Sequence, residues 1–147
     1  MPVLLGERYP ADFMGRPPHL AGRDLTLWTK LREKPPFRVM AWYFDVLCGT
    51  PAPMGPAGGT YPDEAWRFIT SKRIDAVADL LDRWVLVELR RGASLSAIGT
   101  LQGYLLCWNK EPPDKRLTET LLVTDFLDPD ARALAAAQGI PTLELGA

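Results

Sequence analysis

Two acidic residues set inside otherwise apolar strands constrain this chain more than any other feature. Ile74–Leu80 and Arg83–Arg90 are β-prone stretches parted only by a tight turn around Leu81-Asp82, the spacing of an antiparallel hairpin. Asp75 lies in Arg-Ile-Asp-Ala-Val-Ala and Glu88 in Trp-Val-Leu-Val-Glu-Leu-Arg. Alternate strand residues share a face, so Glu88 and Arg90 point one way while Val87 and Leu89 point the other. Pairing across the turn then makes Asp75 and Glu88 neighbours. Acids in strands are often edge or surface residues, and Asp79 and Asp82 read that way. The apolar residues on both sides of Asp75 and Glu88 point instead to a held pair, an oxygen-ligand site suited to Mg²⁺ or Mn²⁺.

The elements around the hairpin follow from periodicity and punctuation. Residues 1–22 mix Pro, Gly and Arg with scattered Leu, Tyr and Phe and fit neither a helix nor a strand period, so they form an extended N-terminal arm. An ordered arm of this composition implies something that ties it down. Asp24 caps a short helix with Leu25, Trp28 and Leu31 at helical spacing, which Lys34-Pro35-Pro36 ends. Phe37–Cys48 is a long strand. Its Trp42-Tyr43-Phe44 run could stack on bases, but such a run more often supplies core and one exposed face. Gly49–Thr60 is a loop, and a second short helix starts near Pro62 with Glu64, Trp66 and Phe68.

After the hairpin, Ser94–Trp108 is a helix with Leu95, Ile98, Leu101 and Leu105 on one face, and Leu121–Thr124 is a short strand. Asp128-Pro129 opens a helix that Gly139 closes, and Pro141–Leu145 is the last strand. The order β-β-α-β-α-β predicts an α/β (α+β) fold, a mixed central sheet flanked by helices. The 147 residues, 47% hydrophobic and 24% charged, suit an arm over 1–22 and a single domain over 23–147.

Composition narrows the chemistry. A net charge of −1 and a pI near 5.8 give no global basic excess for displacing counterions from nucleic acid. Cys48 and Cys107 lie in apolar surroundings without a CxxC, and His19 is the sole histidine. Structural zinc, which needs about four such ligands, is therefore not expected. The cysteines read as reduced, buried small hydrophobes, and His19 as a structural residue of the arm. No apolar run approaches the ~20 residues of a membrane span, and Met1–Glu7 lacks the basic and apolar regions of a secretory signal. A virion or host-cell cytoplasm is the expected location.

An acidic helix residue (Glu64), then Asp75, a hairpin and Glu88-Leu89-Arg90, followed by an amphipathic helix and a βαβ-like tail, resembles the PD-(D/E)xK nuclease superfamily over roughly residues 61–145. The stretch Val87-Glu88-Leu89-Arg90-Arg91-Gly92-Ala93-Ser94, with Gln102 in the next helix, is similar to endonucleases whose strand ends in Glu-x-Lys-Arg. The resemblance implies metal ligands at Asp75 and Glu88, with Glu64 as a third. It also implies a phosphate contact at Arg90, and a substrate- or water-orienting role for Gln102. Two departures matter. Arg90 stands where the family has its catalytic lysine, and arginine stays protonated at any working pH, so it can hold a phosphate but not relay a proton. Position 106, four after Gln102, is Leu106 where an aromatic is usual, with Tyr104 on a different face. Lys72 or Arg91 could still reach the lysine position.

The arm together with the His-Leu-x-x-x-Asp-x-x-Leu-Trp helix, His19 to Trp28, is also similar to short proteins of tailed bacteriophages. That resemblance implies a catalytically weakened nuclease fold serving in the head-to-tail connector or tail. There it would associate with its own copies and with neighbouring virion proteins through the arm. The alternatives are an active Mg²⁺- or Mn²⁺-dependent DNA endonuclease, and a DNA-binding module that does not cleave.

Overall fold

The computed structural model of the chain describes residues 3–20, 22–48 and 72–146. The expected loop 49–60, the helix near Pro62, Glu64 and the Lys72 side chain lie outside the described residues. A six-stranded sheet runs in sequence order: β1 (Tyr9–Pro10), β2 (Ala41–Cys48), β3 (Lys72–Asp79), β4 (Arg83–Leu89), β5 (Leu117–Thr124) and β6 (Thr142–Glu144). β1 to β4 pair antiparallel, whereas β4–β5 and β5–β6 are parallel. Parallel neighbours need long crossovers, and helices α2 (Leu95–Lys110) and α3 (Pro129–Gln138) supply them. Helix α1 (Gly22–Glu33) covers the opposite face. The mixed sheet with flanking helices is thus the predicted one.

Local signals fix most element ends. Asp128 caps α3 by accepting the N–H groups of Asp130 and Ala131, and Gly139 closes it at φ 66°, the left-handed turn that glycine adopts without a Cβ clash. The β3–β4 turn puts Leu81 at φ 73°, held by the Leu81 N–H on Asp79 Oδ1 at 2.9 Å. Asp79 is more than the surface acid expected. It pairs with Arg116 at 2.7 Å, while Arg116 also holds Asp114 and stacks 4.0 Å from the Trp84 ring centroid.

Other boundaries move for reasons of pairing. β2 begins at Ala41 rather than Phe37, because its partner β3 ends at Asp79, opposite Ala41. β5 begins at Leu117 rather than Leu121, because β4 offers a full-length parallel partner from Arg83 onward. α1 begins at Gly22, so Asp24 sits in its first turn, at the positive end of the helix dipole, instead of capping it. On α2 the inward residues are Ala97, Ile98, Leu101, Tyr104 and Trp108. Leu95, expected inside, is 50% exposed.

Two hydrophobic layers sandwich the sheet. On the α1 face, Trp28 is fully buried and meets Trp42 and Phe44 edge-on at ring separations of 4.7 and 4.8 Å. On the other face, Val46, Ile74, Val77, Trp84 and Leu86 pack with residues of α2 and α3. Trp42 and Phe44 are therefore core residues, and Tyr43 packs against Trp84 on the opposite side. The arm wraps the β2 edge: Val3 and Leu5 join the layer of α2 and α3, and Tyr9 and Phe13 join the α1 layer beside Phe44. Leu4 exchanges two backbone hydrogen bonds with Leu47. This part of the arm is therefore packed on the chain's own sheet.

If the arm belongs to the core, Phe13→Ala should lower the unfolding free energy in urea by on the order of 1–3 kcal/mol. An arm used only for partner binding would leave the urea midpoint of the isolated protein unchanged.

Candidate functional site

The β3–β4 ladder runs from Asp79↔Trp84 to Ala76↔Val87, and the next step brings Asp75 and Glu88 together. Asp75 Oδ2 accepts the Leu89 N–H at 2.9 Å, so one carboxylate oxygen takes the place of a backbone acceptor at the end of the ladder. Glu88 faces the α2 layer with Trp84 and Leu86 and is only 4% exposed. The Asp75 carboxyl and the Tyr104 hydroxyl from α2 both act on it. Its Oε2 is buried with no hydrogen-bond partner, and the nearest cation, Arg90 Nη2, stands 3.6 Å away. Arg90 also reaches Ser96 Oγ at 3.4 Å, and its backbone N–H bonds Val123 at 2.9 Å.

Burial governs the electrostatics. Removing Glu88 from water pushes its carboxyl up to about 9, and the bond to Asp75 and the like charge of Asp75 push in the same direction. Asp75 is also raised, by burial first, although the bonds from Glu88 and Leu89 and the charge of Arg90 oppose the shift. Glu88 thus keeps the proton and donates it to Asp75, so the pair titrates as a unit. Tyr104 is raised by burial and by both carboxyls.

Two further acids surround the pair. Asp24, in the first turn of α1, is raised by burial and then by the charge of Asp75, and Arg90 opposes the shift. Asp45 sits between Phe44 and Val46, whose partners on β3 are Ala76 and Ile74, and so stands level with Asp75. Its φ of 51° lies in the left-handed region. Phe44 and Ala76 face α1, whereas Val46 and Ile74 face α2, so the usual alternation reverses at Asp45 and Asp75. Its carboxylate contacts His19 at 3.5 Å and Arg73 at 3.8 Å.

The structure therefore joins Asp75, Glu88 and Arg90 as expected. It does not bring Gln102 to them. That side chain is exposed and donates to Gln138 at 3.3 Å beside a shallow groove of about 230 Å³ between α2 and α3. Arg91, the alternative cation, pairs instead with Asp125 at 3.1 Å. Sequence reading missed Asp24, Asp45 and Tyr104. Tyr104 was findable, because Leu101, Tyr104 and Trp108 share one helix face. Asp45 carried the same signal as Asp75, an acid inside an apolar strand. A cleft of about 480 Å³ adjoins the site, lined by Arg73, Ser96, Gly99, Thr100, Gly103, Tyr104 and Cys107. Gly99 and Gly103 line it, and a Cβ built at either meets nothing within 4 Å.

Among the described residues no group of three or more His, Cys, Asp or Glu side chains is close enough to enclose a metal. The site offers two carboxylates, the number with which Mg²⁺ is commonly held when waters and phosphate oxygens complete its shell. The unpartnered, buried Glu88 Oε2 fits that use, and a cation there would replace the shared proton. No described helix is long and apolar enough to cross a membrane. Comparison with family models, with curated proteins and with solved structures finds no match to the chain.

The raised Glu88 pKa has a definite sign in stability. A carboxyl whose folded pKa lies above its unfolded value of 4.5 stabilises fully below that value, and the contribution is lost as pH rises towards about 9. The unfolding midpoint of the wild type should fall across that window, and Glu88→Gln should flatten the fall. Parallel slopes for the two proteins in thermal melts would mean that Glu88 carries no extra proton.

Proposed function

We propose that the chain is a nuclease-fold protein of the PD-(D/E)xK type. Its Asp75–Glu88 pair takes Mg²⁺ or Mn²⁺, and its Arg90 holds a phosphodiester oxygen of DNA. The observation that carries this reading is the buried Glu88 Oε2, without a hydrogen-bond partner and 3.6 Å from the Arg90 guanidinium. A buried carboxylate oxygen left unpaired is costly unless a cation completes it. When bound, such an ion supplies Lewis-acid polarisation of the phosphoryl oxygen and a more acidic water.

The chain's own groups do the rest. Asp75 and Glu88 are fixed to adjacent strands, with Asp75 locked by the Leu89 N–H, so the pair is preorganised. Arg90, steadied by Ser96, presents a planar fork suited to phosphate. The cleft along α2 gives the backbone of a strand room to reach Tyr104 and Ser96, the residue that Arg90 bonds. Arg90 cannot relay a proton, so hydrolysis is weaker than with lysine at this position. A chain of net charge −1 binds DNA weakly and in a salt-sensitive manner.

The identity of Arg90 also favours a second reading, a non-catalytic component of a bacteriophage particle. In that case association with its own copies and with virion neighbours would run through the N-terminal arm, whose exposed part includes Met14 at 74% exposure.

Cleavage of supercoiled plasmid with Mg²⁺ or Mn²⁺ separates the two. The wild type should nick slowly, Glu88→Ala should lose both nicking and calorimetric Mn²⁺ binding, and Arg90→Lys should nick faster by on the order of ten- to a hundredfold. Equal nicking by wild type and Glu88→Ala would discard the metal site. Silence of all three proteins would leave the particle component.

A further inference from the structure

Two turns run in step at the carboxyl ends of the parallel strands β4 and β5. The Arg90 N–H bonds the Val123 carbonyl at 2.9 Å, and further along the Ala93 N–H bonds the Phe126 carbonyl at 2.9 Å. Between them Asp125 accepts the Arg91 guanidinium at 3.1 Å and the Gly92 N–H at 2.8 Å. The Asp128 N–H closes the set on the Ala93 carbonyl at 2.9 Å, and Leu127 is buried. Phe126 therefore has a fixed backbone between two anchored neighbours, yet the residue is 60% exposed. Among the described residues it is the only aromatic residue left exposed, every other ring being buried or half-buried. Leucines exposed singly on a surface need no account. An apolar ring on a rigidly held turn beside a phosphate-binding arginine is different, because recognition groups are commonly carried on loops that a scaffold positions.

We propose that Phe126 is a stacking platform for an unpaired base of the DNA strand whose phosphate Arg90 holds. This deepens the metal-dependent hydrolase reading above and rests on it. The chain from Val123 to Phe126 spans at most roughly 11 Å, and Arg90 is bonded to Val123. A base and the phosphate beside it can therefore reach the ring and the guanidinium together. The chemistry at the ring selects a base over a phosphate. A phenyl face is apolar and offers no donor to a phosphate oxygen, whereas every base has a flat π-face to lay on it. The neighbouring Arg91–Asp125 pair carries no net charge, so it adds no pull on the phosphate backbone. In a duplex both faces of a base are already covered by its neighbours, so a surface ring reaches only an unpaired or terminal base. The substrate class is then single-stranded DNA or a locally opened duplex, which negative supercoiling favours in a plasmid.

The test is the anisotropy of a fluorescein-labelled oligothymidylate at low salt, with wild type, Phe126→Ala and Phe126→Trp, beside calorimetric Mn²⁺ binding. Phe126→Ala should weaken binding by roughly five- to a hundredfold and leave Mn²⁺ binding and the thermal midpoint unchanged. Phe126→Trp should bind as tightly as wild type. On a strand of abasic sugar-phosphate, wild type and Phe126→Ala should bind equally, because no base remains to stack. Equal binding of oligothymidylate by the two, or the same loss on the abasic strand, overturns the platform. If Mn²⁺ binding is then present in wild type and absent in Glu88→Ala, the metal-site reading stands without it. A fall in the sedimenting mass of Phe126→Ala with oligothymidylate affinity unchanged makes the ring a protein contact and also overturns the platform. A wild type that binds neither Mn²⁺ nor oligothymidylate removes both together.

Discussion

A carboxyl group cannot be taken out of water alone. Glu88 sits in the middle of a six-stranded sheet, beneath a helix, at 4% exposure, and much of the surrounding architecture answers to that fact. Its charge must be cancelled by a proton, by a guanidinium or by a metal ion. Glu88 retains a proton that Asp75 is placed to accept, Arg90 offers the guanidinium, and the unpartnered Oε2 leaves room for the third. A purely structural sheet would have a valine or leucine at this position, as β4 does at Val85, Val87 and Leu89. Retaining an acid there sacrifices stability that an apolar residue would supply, and such exceptions gather at working sites.

The hairpin, both crossover helices and the terminal strand were legible because each rests on local chemistry. Asp128-Pro129 and Gly139 bound α3 through cap bonds that need no tertiary partner. The tight turn at Leu81 sets the register that puts Asp75 opposite Glu88. What escaped reading depends on contacts distant in sequence. The start of β2 is set by where β3 ends, and the length of β5 by β4. The arm has no period of its own because it borrows its geometry from the β2 edge.

At the site, legibility divided the same way. Asp75, Glu88 and Arg90 share one hairpin, so strand alternation alone brought them together. Gln102 was carried over from a resemblance, and it lies instead on the α3 side of α2, bonded to Gln138. Asp45 escaped because simple alternation predicts that Phe44 and Val46 share a face. The left-handed φ between them sends the two residues to opposite faces. A single unusual backbone torsion can thus hide an acid beside the candidate site from pattern reading and still mark it in three dimensions.

The arm also closes a vulnerability of open sheets. A sheet has two edges, and a long bare edge is a template on which other chains can add strands and aggregate. Among the described residues one edge is the two-residue β1, whose Pro10 has no N–H to donate, and the other is the three-residue β6, entered through Pro141. Both borders are short. The long inner strand β2 would be an open border without the arm, so the N-terminal segment covers a sheet edge as well as joining the core.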